Sequence, residues 1–321
     1  MPLPLPVQRT LWLSAVACLI VIQIAVPGPR QSLFWSAVFD AGHVPLYGLV
    51  ALAILKWRQS MGGWPGGSRI RLYLLALALT VAAGIAAELI QALGAGDASA
   101  GDVARDALGA TAFLLVALAF DRGPIHGRIR VPRAIAFLLA ALLLVPAFVS
   151  LTATAIAYLG RDAAYPRICG FEAAWEGKFV SAHEADLEKT QPPEGWGRKP
   201  SDRVGHVVFR PGAYPGLSIG EPHPDWRGFE VLVFDVYSEL PEPVELVLRI
   251  HDRDHNDNYW DRFNRTLVIH PGASRISIPL RDVQTAPRGR EMDMSRICGL
   301  VLFADHPREP FDLCFDDFRL E

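Results

Sequence analysis

Five apolar runs occupy the first half of the chain, at Leu11–Val26, Ser36–Leu55, Leu72–Leu93, Asp102–Phe120 and Ala134–Tyr158. Each is close to the ~20 residues needed to cross a hydrocarbon core. In lipid a backbone N–H or C=O finds no water, so such runs are expected to be helices. The expectation for this half is an α-helical polytopic membrane bundle of about five transmembrane helices. Only Arg9 precedes the first run and no small-x-small site precedes Pro27, so that run reads as an uncleaved helix rather than a signal peptide.

Charge divides the chain at Gly160. Residues 1–160 carry a net +5 and residues 161–321 a net −8. An apolar embedded half is therefore followed by an acidic soluble one, and no basic block points to nucleic acid. The boundaries read as a transmembrane domain at 1–160, a linker at 161–170 and a soluble domain at 171–321. Lys56, Arg58, Arg69 and Arg71 cluster in one inter-helix loop, and Arg122, Arg128, Arg130 and Arg133 in another. Positive loops stay in the cytoplasm. The expected protein is thus multi-pass in the cell membrane, with a cytoplasmic N-terminus and an extracytoplasmic C-terminal domain.

That orientation gives the polar residues a depth. Asp40, His43 and Tyr47 share a face early in the second helix. Glu88 and Gln91 lie in the last turns of the third, and Asp102, Arg105 and Asp106 in the first turns of the fourth. All stand at the outer level, where ionisable groups usually face a bundle interior and pair there. A polar membrane site is the expectation. Helix capping by Asp102 and simple solvation near helix ends remain the plain alternatives.

These residues resemble the VanZ-like membrane family over about residues 10–120. The chain reads D-x-x-H-x-x-x-Y in the second helix, E-x-x-Q in the third, and then D, a polar residue four on and Gly109 after it. The resemblance implies an envelope role associated with low-level resistance to the glycopeptide teicoplanin. Two positions depart from the family pattern. Asp97 stands where the family has a loop Arg, and Asp106 where it has Asn, so phosphate binding does not carry over.

After Tyr158 short β-rich runs recur between turns: Phe229–Ser238, Val244–Asp252, Arg265–His270, Ser274–Leu280, Ile297–Ala304 and Phe311–Leu320. Leu246, Leu248 and Ile250 alternate with outward positions, as do Ile276, Ile278 and Leu280. The expectation is an all-β jelly-roll sandwich. D-x-x-H-x-x-x-Y-x-D-R-F from Asp252 to Phe263, together with the closing DD-F-R-L, resembles the galactose-binding-like jelly rolls of carbohydrate-binding modules over about residues 169–321. The resemblance implies glycan binding through Trp226, Tyr259 and Trp260, with Asp252, Asp254 and His255. Core packing of Trp226 and a charge-braced turn are the competing readings.

No cofactor is required. A structural calcium ion is the one metal considered, at the oxygen-rich DRDHNDN loop or at Asp316 and Asp317. The resemblance places Cys169 and Cys314 by the first and last strands as the disulfide candidate, leaving Cys298 over. Three functions stay open. The first is a non-enzymatic envelope protein whose partners are membrane lipid and a cell-surface glycan or lipid-linked sugar. The second is a membrane enzyme or carrier that acts on a lipid headgroup through Asp40, His43 and Glu88. The third is a structural assembly module.

Overall fold

The computed structural model describes residues 4–25, 32–61, 69–93, 99–121 and 132–321. It comprises two compact units, Met1–Thr154 and Ala155–Glu321.

The first unit is built from α1 (Leu5–Ala25), α2 (Leu33–Ser60), α3 (Arg69–Leu93), α4 (Ala100–Phe120) and α5 (Arg133–Ala164), the last running on into the second unit. These helices overlie the five apolar runs. The first four are each long and apolar enough to cross a membrane, and α5 is a fifth when its two parts around Pro146 count as one bent span. Residue size is distributed inside out. Leu11, Leu13, Val21, Leu74, Leu89, Leu138 and Leu142 are exposed, whereas Ala37, Ala41, Ala51, Ala76, Ala110 and Ala112 are buried. Large side chains gain nothing by leaving lipid, while small ones let helices approach. The approach is closest between α2 and α4. A Cβ on Gly109 would stand 2.1 Å from the Val44 carbonyl oxygen, and one on Gly48 would stand 2.4 Å from the Phe113 ring.

The stretch expected as a linker is ordered secondary structure for most of its length. Helix α5 continues to Ala164, and β1 (Arg167–Cys169) follows directly. Pro166 ends the helix, since it has no N–H to donate and disfavours the α conformation of Tyr165.

The second unit is a β-sandwich, as the period-two pattern required. Its further strands are β2 (Val180–His183), β3 (Ala185–Thr190), β4 (Val204–Phe209), β5 (Gly216–Gly220), β6 (Val231–Ser238), β7 (Val244–Asp252), β8 (Phe263–Ile269), β9 (Gly272–Pro279), β10 (Ile297–Phe303) and β11 (Phe311–Leu320). One antiparallel sheet runs β3-β4-β11-β6-β9, with β1 added to the end of β11, and the other runs β2-β5-β10-β7-β8. Apart from the β3–β4 and β7–β8 hairpins, successive strands pass between the sheets in jelly-roll fashion. Leu246, Leu248, Ile250, Leu300 and Leu302 of one sheet meet Leu232, Phe234, Leu313, Phe315 and Phe318 of the other in a continuous core.

Two expectations are corrected by this register. Trp226 is 1% exposed, sits in the core, and donates its indole N–H to the His223 carbonyl at 2.8 Å. It is a packing residue, not a sugar platform. Cys169 and Cys314 are both free thiols. Cys169 pairs across from Phe318, four positions beyond Cys314 on β11. At the rise of an extended strand that is about 13 Å, well past the reach of a disulfide. The two also face opposite ways, Cys169 into the core and Cys314 onto the outer face beside His206 and Tyr237.

Candidate functional site

In the helical unit, five of the eight polar candidates join in two clusters, a pair and a triad. The close α2–α4 seam brings His43 Nδ1 to 2.9 Å from Asp106 Oδ1. Arg105 pairs with Asp102 one turn away and reaches Asp40 Oδ2 at 3.2 Å. Glu88 accepts the Ser99 backbone N–H at 2.9 Å, tying α3 to the start of α4. Tyr47 instead donates to Gln23 of α1 at 2.5 Å, a partner the motif reading did not include. Gln91 is half-buried on α3, and Asp97 lies outside the described residues. Asp106 is fully buried, with Oδ2 packed over Gly84 and lacking a hydrogen-bond partner, and Glu88 Oε1 is likewise buried without one. Buried carboxylate oxygens left unsatisfied are costly. A proton on either carboxyl would relieve that cost.

In the sandwich the DRDHNDN turn is held by internal pairs. Arg290 donates to both oxygens of Asp252, at 2.6 and 2.8 Å, and to Asp261 Oδ1 at 2.5 Å. Burial alone would raise Asp252, but the Arg290 hydrogen bonds and the Asp293 N–H outweigh it and hold the carboxyl below its usual range. His255 Nδ1 lies 3.0 Å from the Asp261 carbonyl oxygen. Asn256 and Asn258 accept the N–H groups of Asn258 and Trp260. Asp254 is exposed and paired with Arg296. The oxygens expected to ligate calcium are thus largely committed to protein donors. Asp316 and Asp317 meet Arg198 and Arg319. Among the described residues, no three His, Cys, Asp or Glu side chains gather as a metal set.

The braced turn lifts Tyr259 and Trp260 into solvent, 54% and 50% exposed. They meet edge to face, with centroids 4.9 Å apart. The Arg288 guanidinium lies 3.3 Å from the Trp260 centroid and that of Arg262 5.6 Å from the Tyr259 centroid. Beyond the turn, the outer face of β2-β5-β10-β7-β8 carries the pattern onward. Arg249 of β7 stands opposite Asn264 of β8 and Val301 of β10, and its guanidinium covers the Phe303 ring at 4.9 Å. Tyr214 closes the far end, edge-on to Phe303. Gly299 leaves room for the His251 ring, which a Cβ there would meet at 2.2 Å, and Gly216 lets its backbone rest against the Leu302 carbonyl and the Phe303 Cβ. Burial first, then the charges of His255, Arg249 and Arg262, push His251 down to about 4, so it is neutral at pH 7. Tyr214, Phe303, Arg249, His251, Arg262 and Asn264 were not among the sequence candidates. The outward positions of β7 gave a signal for Arg249 and His251, but strand order alone joins them to Tyr214.

The outer face of the other sheet has two cavities, about 280 and 460 Å³, on either side of the Trp196–Tyr237 stack. Its charges are satisfied within the chain: Arg198 and Arg275 hold Asp235, Arg198 also holds Asp316, and His206 meets Asp312.

No family model and no curated protein matches the sequence. Among solved structures, the chain is similar to a family 11 carbohydrate-binding module from Clostridium thermocellum in complex with a β-1,3-1,4-mixed-linked tetrasaccharide, at 13% identity and a TM-score of 0.38, over 48% of this chain and 93% of the other. It is also similar to a family 30 carbohydrate-binding module of a Clostridium thermocellum cellulosomal cellulase, at 15% identity and a TM-score of 0.34, over 48% and 92%. An exo-β-agarase matches at 15% identity and a TM-score of 0.39, over 48% of this chain and 25% of its own.

Proposed function

We propose that this is a membrane-embedded envelope protein whose sandwich binds a glycan on the outer face of the β2-β5-β10-β7-β8 sheet. One observation carries the reading. Every large apolar side chain that the sandwich leaves exposed, namely Tyr214, Tyr259, Trp260 and Val268, belongs to that sheet or the turns at its ends. Aromatic rings offer flat apolar faces to the C–H faces of sugars, and the polar groups between them fix orientation. Between the ends of β7, Val244 and Asp252, the face is about 27 Å long at the usual rise per residue, enough for an extended chain of sugars. The test is a glycan array probed with the full-length protein in detergent. Wild type is expected to bind, and Tyr259→Ala with Trp260→Ala to lose about ten-fold or more in affinity, a loss of the size expected for aromatic anchors. An array on which wild type binds nothing sinks the proposal.

The pairing of His43 with Asp106, beside a buried Glu88, favours a second reading, in which the helical unit exchanges protons with a lipid headgroup or amphiphile. The VanZ-like resemblance suggests the phenotype to measure. Expression in a susceptible host would raise teicoplanin tolerance, and His43→Ala or Glu88→Gln would abolish the rise at equal expression.

A further inference from the structure

Three arginines on the proposed sugar face have aromatic neighbours and no carboxylate partner among the described residues. Arg249, Arg262 and Arg288 lie over Phe303, Tyr259 and Trp260, and among the described residues none of the three makes an ion pair. This is unusual in a domain where acids outnumber bases by 28 to 20. The arginines of the opposite sheet face, Arg198 and Arg275, both have carboxylate partners. The unpaired charges also stand together. Burial first, and then the like charge of Arg262, push the Arg249 guanidinium down from its ordinary value. Arg249 Nε and Arg262 Nε are both buried without an acceptor, as is His251 Nδ1, and Asn264 Oδ1 is buried without a donor. A half-buried guanidinium Nε without an acceptor costs free energy, and the repulsion between the two like charges adds to it. An arriving oxyanion would offset it, since arginine suits carboxylate and phosphate through its planar set of donors.

From this geometry we infer that the sandwich selects an anionic glycan, with Arg249 and Arg262 taking an oxyanion of the sugar chain while Tyr259, Trp260 and Tyr214 hold the rings. Stacking on their aromatic partners limits the side-chain entropy that the two guanidinia lose on binding. His251, neutral at pH 7, and Asn264 remain for sugar hydroxyls. The inference rests on the glycan reading above and narrows its ligand class. The charge can come from the carboxylate of a uronic acid or from a phosphodiester between sugars.

The experiment is calorimetric titration of the full-length protein in detergent with three probes: a uronic-acid oligosaccharide, the same oligosaccharide with its carboxylates reduced to alcohols, and a phosphodiester-linked oligosaccharide. At least one charged probe is expected to bind about ten-fold or more tighter than the neutral one, as charge-assisted bonds require. That preference should shrink as salt rises from about 50 mM to about 0.5 M. Which charged probe is preferred identifies the source of the charge. Arg249→Gln and Arg262→Gln should erase the preference and leave neutral binding in place, whereas Tyr259→Ala should weaken charged and neutral probes alike. Arg262 lies by the turn, so its variant carries the test if Arg249→Gln fails to fold. Equal affinity for charged and neutral probes overturns the anionic inference and leaves the glycan reading standing. Failure of wild type to bind any of the three, together with an empty glycan array, removes both.

Discussion

Arg290 shows how much of this site a single side chain holds. It neutralises Asp252, whose side chain is wholly buried, and Asp261. Removing one partner of a buried pair leaves the other charge desolvated and alone, so Arg290→Gln is expected to cost about 3 kcal/mol. Arg296→Gln, which frees only the exposed Asp254, should cost less than about 1 kcal/mol. Unfolding followed by tryptophan fluorescence, with Trp226 as the buried reporter, distinguishes the two. The same groups set the pH dependence. Hydrogen bonds from Arg290 hold Asp261 low, and they win over burial at Asp252. Their contribution is therefore complete above the ordinary carboxylate value near 4 and is lost as pH falls through the depressed folded values. Asp316 has the opposite sign. Burial pushes it up to about 7 against the Arg198 guanidinium and the Asp317 N–H, so the folded state gains from its proton and that gain fades as pH rises from about 4 to about 7. Asp316→Asn should flatten the neutral limb of the stability profile and Arg290→Gln the acid limb. A profile in which neither changes would contradict both assignments.

At the level of elements, the seam between α2 and α4 decides whether the membrane polar site exists. His43 reaches Asp106 because Gly109 lets the α4 backbone rest on the Val44 carbonyl. Gly109→Ala must push the helices apart. Overpacking of this kind costs about 1–3 kcal/mol, and the His43–Asp106 bond should lengthen with it. Gly42→Ala on the facing helix α2 is the control, because a Cβ there meets nothing within 4 Å. It should be neutral or add about 0.5–1 kcal/mol of helix propensity. Thermal unfolding of the two variants in detergent checks the contrast. The apolar periodicity announced the helices, and the shared face of Asp40 and His43 announced a polar site. The pairing was not legible: Tyr47 shares their face by helical spacing yet bonds to Gln23 of α1, because which helix lies beside which follows from packing, not spacing.

For the whole molecule, the basic residues flanking α2 and α3 make a statement about topology. Lys56 and Arg58 end one helix and Arg69 and Arg71 begin the next, so the positive-inside rule predicts a cytoplasmic junction and, with five spans, an extracytoplasmic segment after α5. A periplasm-active reporter fused after Glu321 is expected to be active, and a cytoplasm-active one silent. The reverse result would remove the sandwich from any cell-surface glycan and with it the function proposed for its aromatic face.

Sequence alone determined the two-part architecture. Runs of about twenty apolar residues have few folds open to them, and alternation with period two commits a strand to one buried face. It also determined the outward polar face of β7. Only the tertiary structure decided what these faces became. It put Trp226 in the core, kept Cys169 and Cys314 apart, and turned Asp252 and His255 from ligand candidates into braces. It assembled Arg249, Phe303 and Tyr214, distant in the chain, onto one surface with the β7–β8 turn. The reason is physical: periodicity fixes which way a side chain points, but strand order and register fix what it meets, and these are set by how two sheets close over a shared core.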